Sequence, residues 1–77
     1  MAYGYKYYYF HMSISAEKLL SVYRGEVTAF RATADSGVVV ELDVRHLRQF
    51  TTNEGIYGYF RLTTTSSDRF VKFEKLG

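Results

Sequence analysis

Two histidines, His11 and His46, are the only imidazoles in the chain, and cysteine is absent. Acyl-transfer catalysis needs a nucleophile, a general base and an acid that orients the base. His11 stands in a run of tyrosines, His46 stands between Arg45 and Arg48, and no Gly-x-Ser-x-Gly turn accompanies either. The two histidines have neither the His-x-His nor the His-x-x-x-His spacing that would bring both to one metal ion, and no thiolate can join them. The carboxylates Glu17, Glu26, Asp35, Glu41, Asp43, Glu54, Asp68 and Glu74 are scattered singly, without a calcium-loop pattern. No glycine-rich phosphate loop of either common type is present. The sequence thus offers no catalytic, cofactor-binding or metal-ligating set. It indicates no small-molecule substrate and reads as a protein that is not an enzyme.

One constellation does carry chemistry. Tyr57, Tyr59 and Arg61 alternate along one stretch, and Tyr5, Tyr7 and Tyr9 alternate along another. On a strand, alternate residues share a face. Exposed rings flanked by arginine on a sheet are how single-stranded nucleic acid is stacked. The same composition, Tyr with Arg, is enriched where proteins meet. Tyrosine also lines ordinary half-buried sheet faces, with its ring packed and its hydroxyl in water. Tyr57-Gly58-Tyr59-Phe60-Arg61-Leu62 faintly echoes an RNA-recognition signature, but Phe60 and Arg61 stand where that signature wants a small residue and an aromatic one. A smaller basic corner is formed by Arg45, His46 and Arg48. On a turn, such a cluster is ordinarily solvated.

The elements that must position these residues follow from composition and pattern. Seventy-seven residues make one domain, 1–77. With 47% hydrophobic residues, 18% aromatics and no proline, the chain is not disordered, and its aromatics favour strands. No run of about eighteen apolar residues exists to span a membrane. The segment Met1 to Phe10 lacks the aliphatic core and small-residue cleavage site of a signal peptide. The expectation is a cytoplasmic protein with no membrane contact. A net charge of +2 is too small for a dedicated nucleic-acid arm.

Alternation predicts a first strand over Tyr5–Ile14, with Tyr8, Phe10, Met12 and Ile14 facing the core. Ser15 is a good N-cap for a short helix, with Glu17 in its first turn and Gly25 as its stop. Ala16, Leu19, Leu20 and Tyr23 fall on one helical stripe. Further strands are expected over Glu26–Thr33, Val38–Asp43, Ile56–Thr64 and Arg69–Leu76. The second and third, and the fourth and fifth, are joined by loops too short for a parallel crossover. A helical turn over Val44–Phe50 points Val44, Leu47 and Phe50 inward. The facing of the fifth strand is open, because Phe70, Val71 and Phe73 do not alternate. The fold expected is mainly β (α+β): one five-stranded antiparallel sheet, curled or closed into a small Sm-like or SH3-like barrel, with one short helix after the first strand. Phe10, Leu19, Phe30, Val40, Leu42, Phe60 and Leu62 are its expected core.

Four segments, Ile14-Ser15-Ala16-Glu17, Tyr23-Arg24-Gly25, Leu47-Arg48-Gln49-Phe50 and Glu54-Gly55-Ile56-Tyr57-Gly58-Tyr59-Phe60-Arg61-Leu62, resemble in order and spacing a small bacterial family of stand-alone proteins of unknown function, about 70 residues long. The resemblance covers nearly the whole chain. One departure is Leu42-Asp43-Val44-Arg45, where similar chains carry a proline-containing step. The resemblance implies a bacterial, cytoplasmic, single-domain protein and transfers no functional residue. The function expected is therefore a non-enzymatic binding module for another protein or for its own copies. The alternative is weak single-stranded nucleic-acid binding through the Tyr/Arg face.

Overall fold

The computed structural model describes residues 4–77. Its elements in chain order are β1 (Tyr5–Ser15), α1 (Ala16–Tyr23), β2 (Ala29–Thr33), β3 (Val39–Asp43), two single 3-10 turns (Val44–His46 and Arg48–Phe50), β4 (Gly55–Thr65) and β5 (Phe70–Lys75). The strands form two antiparallel sheets, a three-stranded one in the order β1-β4-β5 and a two-stranded one of β2 and β3.

The long ladder of β1 on β4 is the frame. Eleven residues of each strand pair without a break, from Tyr5 opposite Thr65 to Ser15 opposite Gly55. Alternation then sorts the side chains. Phe10 and Met12 of β1, and Ile56, Phe60 and Leu62 of β4, are buried on one side. The β2–β3 hairpin lies over that side and contributes Val40 and Leu42 to the same core. Phe73 of β5 completes it, stacked 5.0 Å from Phe60 and 5.9 Å from Phe10. Phe50, from the second 3-10 turn, meets Phe60 and Phe73 edge-on at 5.3 and 5.5 Å. Four interlocking rings therefore supply much of the apolar burial in a chain too short for a large aliphatic core.

The local signals at the helix act as expected. Ser15 caps α1 by accepting from the Lys18 amide, and Gly25 follows the helix at φ +75°. Asp43 caps the first 3-10 turn by accepting from the Arg45 amide at 2.9 Å. Gly55, at φ +126°, packs so tightly against the β1–α1 junction that a Cβ would strike the Ile14 carbonyl. Gly58 allows a close approach of the chain's last residue, since a Cβ there would lie 2.5 Å from the Gly77 carbonyl oxygen.

Several expectations are corrected. The strands make neither one five-stranded sheet nor a barrel. The five-residue β2–β3 hairpin is too short to bridge between β1 and β5, and it layers over the larger sheet instead, leaving β5 at an edge. Its attachment to β1 includes the Asp35 amide donating to the Tyr9 carbonyl at 2.7 Å. On α1 only Leu19 of the expected stripe is buried; Leu20 and Tyr23 are exposed, and Val22 packs against the core instead. A helix of eight residues resting on a sheet buries a narrow line. Phe30 is half-buried, because the two-stranded sheet covers it from one side only. The second strand also starts later than expected, at Ala29, because the amides of Glu26 and Val27 both turn back to the Ser21 carbonyl. No described helix is long and apolar enough to cross a membrane.

Candidate binding face

The side of the three-stranded sheet away from the core gathers the tyrosines. Register alone puts them there. Tyr7, Thr63 and Lys72 form one cross-strand row, and Tyr9, Arg61 and Glu74 form the next. His11 lies opposite Tyr59, Ser13 opposite Tyr57, and Tyr5 opposite Thr65. The six residues singled out from sequence, Tyr5, Tyr7, Tyr9, Tyr57, Tyr59 and Arg61, therefore share one face, with Tyr57 toward its far end. Tyr5, Tyr7 and Tyr57 are 58%, 51% and 45% exposed; Tyr9, Tyr59 and Arg61 are half-buried.

The two halves of the face differ in what their polar groups already do. Arg61 donates to one oxygen of Glu74 from Nε at 3.0 Å and from Nη2 at 2.7 Å. Its guanidinium carbon lies 5.6 Å from the Tyr7 ring centre, within cation–π reach. The hydrogen bond to Glu74 raises the Arg61 pKa further above its ordinary value and holds the Glu74 carboxyl below its own. Lys72 adds a second cation 3.6 Å from the same carboxylate. At the other half, Tyr59 lies across β1, 4.5 Å from His11 and stacked 6.2 Å from Tyr9, and its hydroxyl donates to Asp35 in the β2–β3 turn. That hydrogen bond raises the Tyr59 pKa.

Between Tyr5, Tyr7, Arg61, Thr63 and Lys72 the surface dips into a depression of about 480 Å³. Thr63 lines it, 3% exposed, and its hydroxyl has no hydrogen-bond partner among the described residues.

The basic corner is not a set of free cations. Arg45 lies 3.6 Å from Asp43, and His46 stacks on Phe70 at 3.7 Å with the planes 10° apart. Arg48 is exposed. His11 leans on Tyr59 on the opposite side of the protein's larger sheet from the core.

Asp35, Thr63, Lys72 and Glu74 belong to the face and were not singled out from sequence. Asp35 reads as turn chemistry. Thr63 follows from the same alternation along β4 as Tyr57, Tyr59 and Arg61, whereas Lys72 and Glu74 depend on the facing of β5, which a register shift between Thr63 and Thr64 obscures. The signal was there: apolar residues that fail to alternate at Phe70, Val71 and Phe73 are what an inserted bulge residue produces.

A family model described as a protein of unknown function (DUF2835) matches residues 6–76. No curated protein and no solved structure matches the chain.

Proposed function

The chain belongs to the DUF2835 family of proteins of unknown function, and on that footing we propose that it is a small non-enzymatic binding module of the bacterial cytoplasm, whose tyrosine face binds protein, in the first place a second copy of itself. The observation that carries this reading is the pairing of Arg61 with Glu74 beside the exposed rings of Tyr5 and Tyr7. A face that stacks nucleic acid needs unengaged cations to gather phosphates. Here the arginine is occupied by a carboxylate of its own sheet, and the one cation left unmatched beside it, Lys72, is too little to gather a phosphate chain, while flat amphipathic rings remain exposed. Tyrosine surfaces with few free charges are what protein interfaces are made of.

Shape favours the same reading. The radius of gyration is 12.9 Å, against about 11.5 Å expected for a compact chain of this length. The accessible surface is 5368 Å², against about 4,900 Å² for a monomer of this mass. A chain so small and elongated has surface to bury against a partner.

The test is residue-resolved. Amide NMR spectra recorded across a wide concentration range should shift at Tyr5, Tyr7, Tyr9 and Arg61 and stay constant on β2, β3 and α1. A parallel titration with single-stranded oligonucleotides at low salt should give no saturable shift. Saturable micromolar oligonucleotide binding, weakened by salt and lost in Tyr57→Ala, would replace this reading with nucleic-acid binding.

A further inference from the structure

The orphan hydroxyl of Thr63 has a consequence of its own. A buried hydroxyl left without a partner is destabilising, and a valine of the same shape would remove that cost while keeping the β-branched side chain a strand favours. The hydroxyl does not sit in the apolar core. Thr63 lies on the tyrosine face and helps to line a depression of about 480 Å³, a size ordinary for small-ligand sites, with its hydroxyl buried beneath the surface. Its row neighbours on either side are Tyr7 and Lys72, both exposed, the first beneath the Arg61 guanidinium and the second 3.6 Å from Glu74.

The charges around it are unbalanced by one. Arg61 and Lys72 share the single carboxylate of Glu74. Among the described ionised side chains lining or touching this depression one positive charge is left over, and Lys72 is the more exposed of the two cations. Tyr5 and Tyr7 supply flat apolar walls beside it.

We propose that this depression is a binding site for a small planar monoanion, of the aromatic carboxylate class. The carboxylate accepts from the Thr63 hydroxyl and from the Lys72 ammonium, and the ring lies against Tyr5 and Tyr7. A carboxylate supplies the acceptor that Thr63 lacks and the one negative charge that Arg61, Lys72 and Glu74 leave unmatched. A dianion would exceed that charge and would face Glu74 directly. The site shares Tyr5 and Tyr7 with the surface proposed to meet a second copy, so the two occupants compete, and the ligand is tested at low protein concentration, where the face is open.

The experiment is an amide NMR titration of the intact chain with sodium benzoate, and with benzamide as a neutral control of the same shape, at fixed ionic strength and low protein concentration. Benzoate should give saturable shifts centred on Tyr7, Thr63 and Lys72, with benzamide at least about tenfold weaker. Thr63→Val and Lys72→Met should each weaken benzoate about tenfold, the expected loss of one charge-assisted hydrogen bond. Thr63→Ser, which keeps the hydroxyl, should retain binding, and this variant carries the test should the valine one not fold. No saturable shift with benzoate, equal binding of benzamide, or unchanged affinity in Thr63→Val would overturn the proposal. A monomer that nonetheless binds benzoate supports this site while removing the self-association reading, so the two fail separately.

Discussion

The Tyr59 hydroxyl donates to the Asp35 carboxylate, a residue 24 positions earlier in the chain, and to do so its ring crosses the whole width of β1. This one contact joins the outer face of the larger sheet to the turn of the hairpin that covers its inner face. The Asp35 amide donates to the Tyr9 carbonyl in the same place. Tyr59 therefore works as a strap holding the two sheets in register, while Tyr5 and Tyr7 remain the open rings of the face.

The strap sets an alkaline limit. Folding raises the Tyr59 pKa, through its hydrogen bond to Asp35. A group raised on folding contributes stability that is complete below its unfolded value, near about 10 for tyrosine, and is lost as pH climbs from there through the folded value. Denaturant midpoints of the wild type and Tyr59→Phe should differ at neutral pH and converge above that range. Lys6, raised in the same direction by Asp68, is present in both proteins and cancels in the difference. A difference that persists unchanged into strong alkali would mean that the hydroxyl contributes nothing.

The acid limit belongs to Glu74. Arg61 holds its carboxyl below the ordinary range. The pair therefore contributes fully above the unfolded value, near about 4.3, and that contribution disappears as pH falls from there through the lower folded value. Glu74→Gln should be less stable than the wild type at neutral pH and should approach it in acid. An acid-unfolding curve identical for the two proteins contradicts the pairing.

The core prediction is larger. Phe60 is fully buried and touches Phe50 and Phe73. Phe60→Ala should cost about 3–5 kcal/mol, enough to leave a domain of this size barely folded. Phe73→Ala should cost a similar amount, although β5 is an edge strand. A shift under about 1 kcal/mol by chemical denaturation would mean that the ring cluster is not the core.

Gly55 is a backbone requirement. Its φ of +126° lies outside the range that side chains adopt, and a Cβ would strike the Ile14 carbonyl. Gly55→Ala should destabilise by at least about 2 kcal/mol, with its largest spectral changes at Ile14 to Ala16. Wild-type stability in that variant would show that the junction relaxes freely.

The sequence made β1, the cap at Ser15, both hairpins and the core faces of β1 and β4 legible, because each rests on local alternation or on one capping residue. It also placed each set of tyrosines, Tyr5, Tyr7 and Tyr9 and then Tyr57 and Tyr59, on one face of its own strand, since side-chain period two needs no tertiary knowledge. It did not reveal that β1 pairs with β4, a contact between the two ends of the chain. It could not separate one curled sheet from two layered ones, because that depends on how far a five-residue hairpin reaches. The ion partner of Arg61 was hidden for a related reason. Glu74 comes opposite Arg61 only once the bulge near Val71 has shifted the register, and a mixed apolar run such as Phe70-Val71-Lys72-Phe73 does not say which residue is the extra one. Leu20 and Tyr23 misled because helical periodicity reports what could be buried, and an eight-residue helix on a sheet edge buries less.

The central claim, that the open tyrosine face pairs with a second copy, is tested most directly by sedimentation equilibrium of the wild type and Tyr7→Ala from low to high micromolar concentration. The account predicts that the wild type rises from its 9.0 kDa monomer mass toward twice that value, and that Tyr7→Ala, with its fold intact by circular dichroism, stays at the monomer mass throughout. A wild type that remains a monomer at every concentration, or a dimer that Tyr7→Ala leaves untouched, would contradict it.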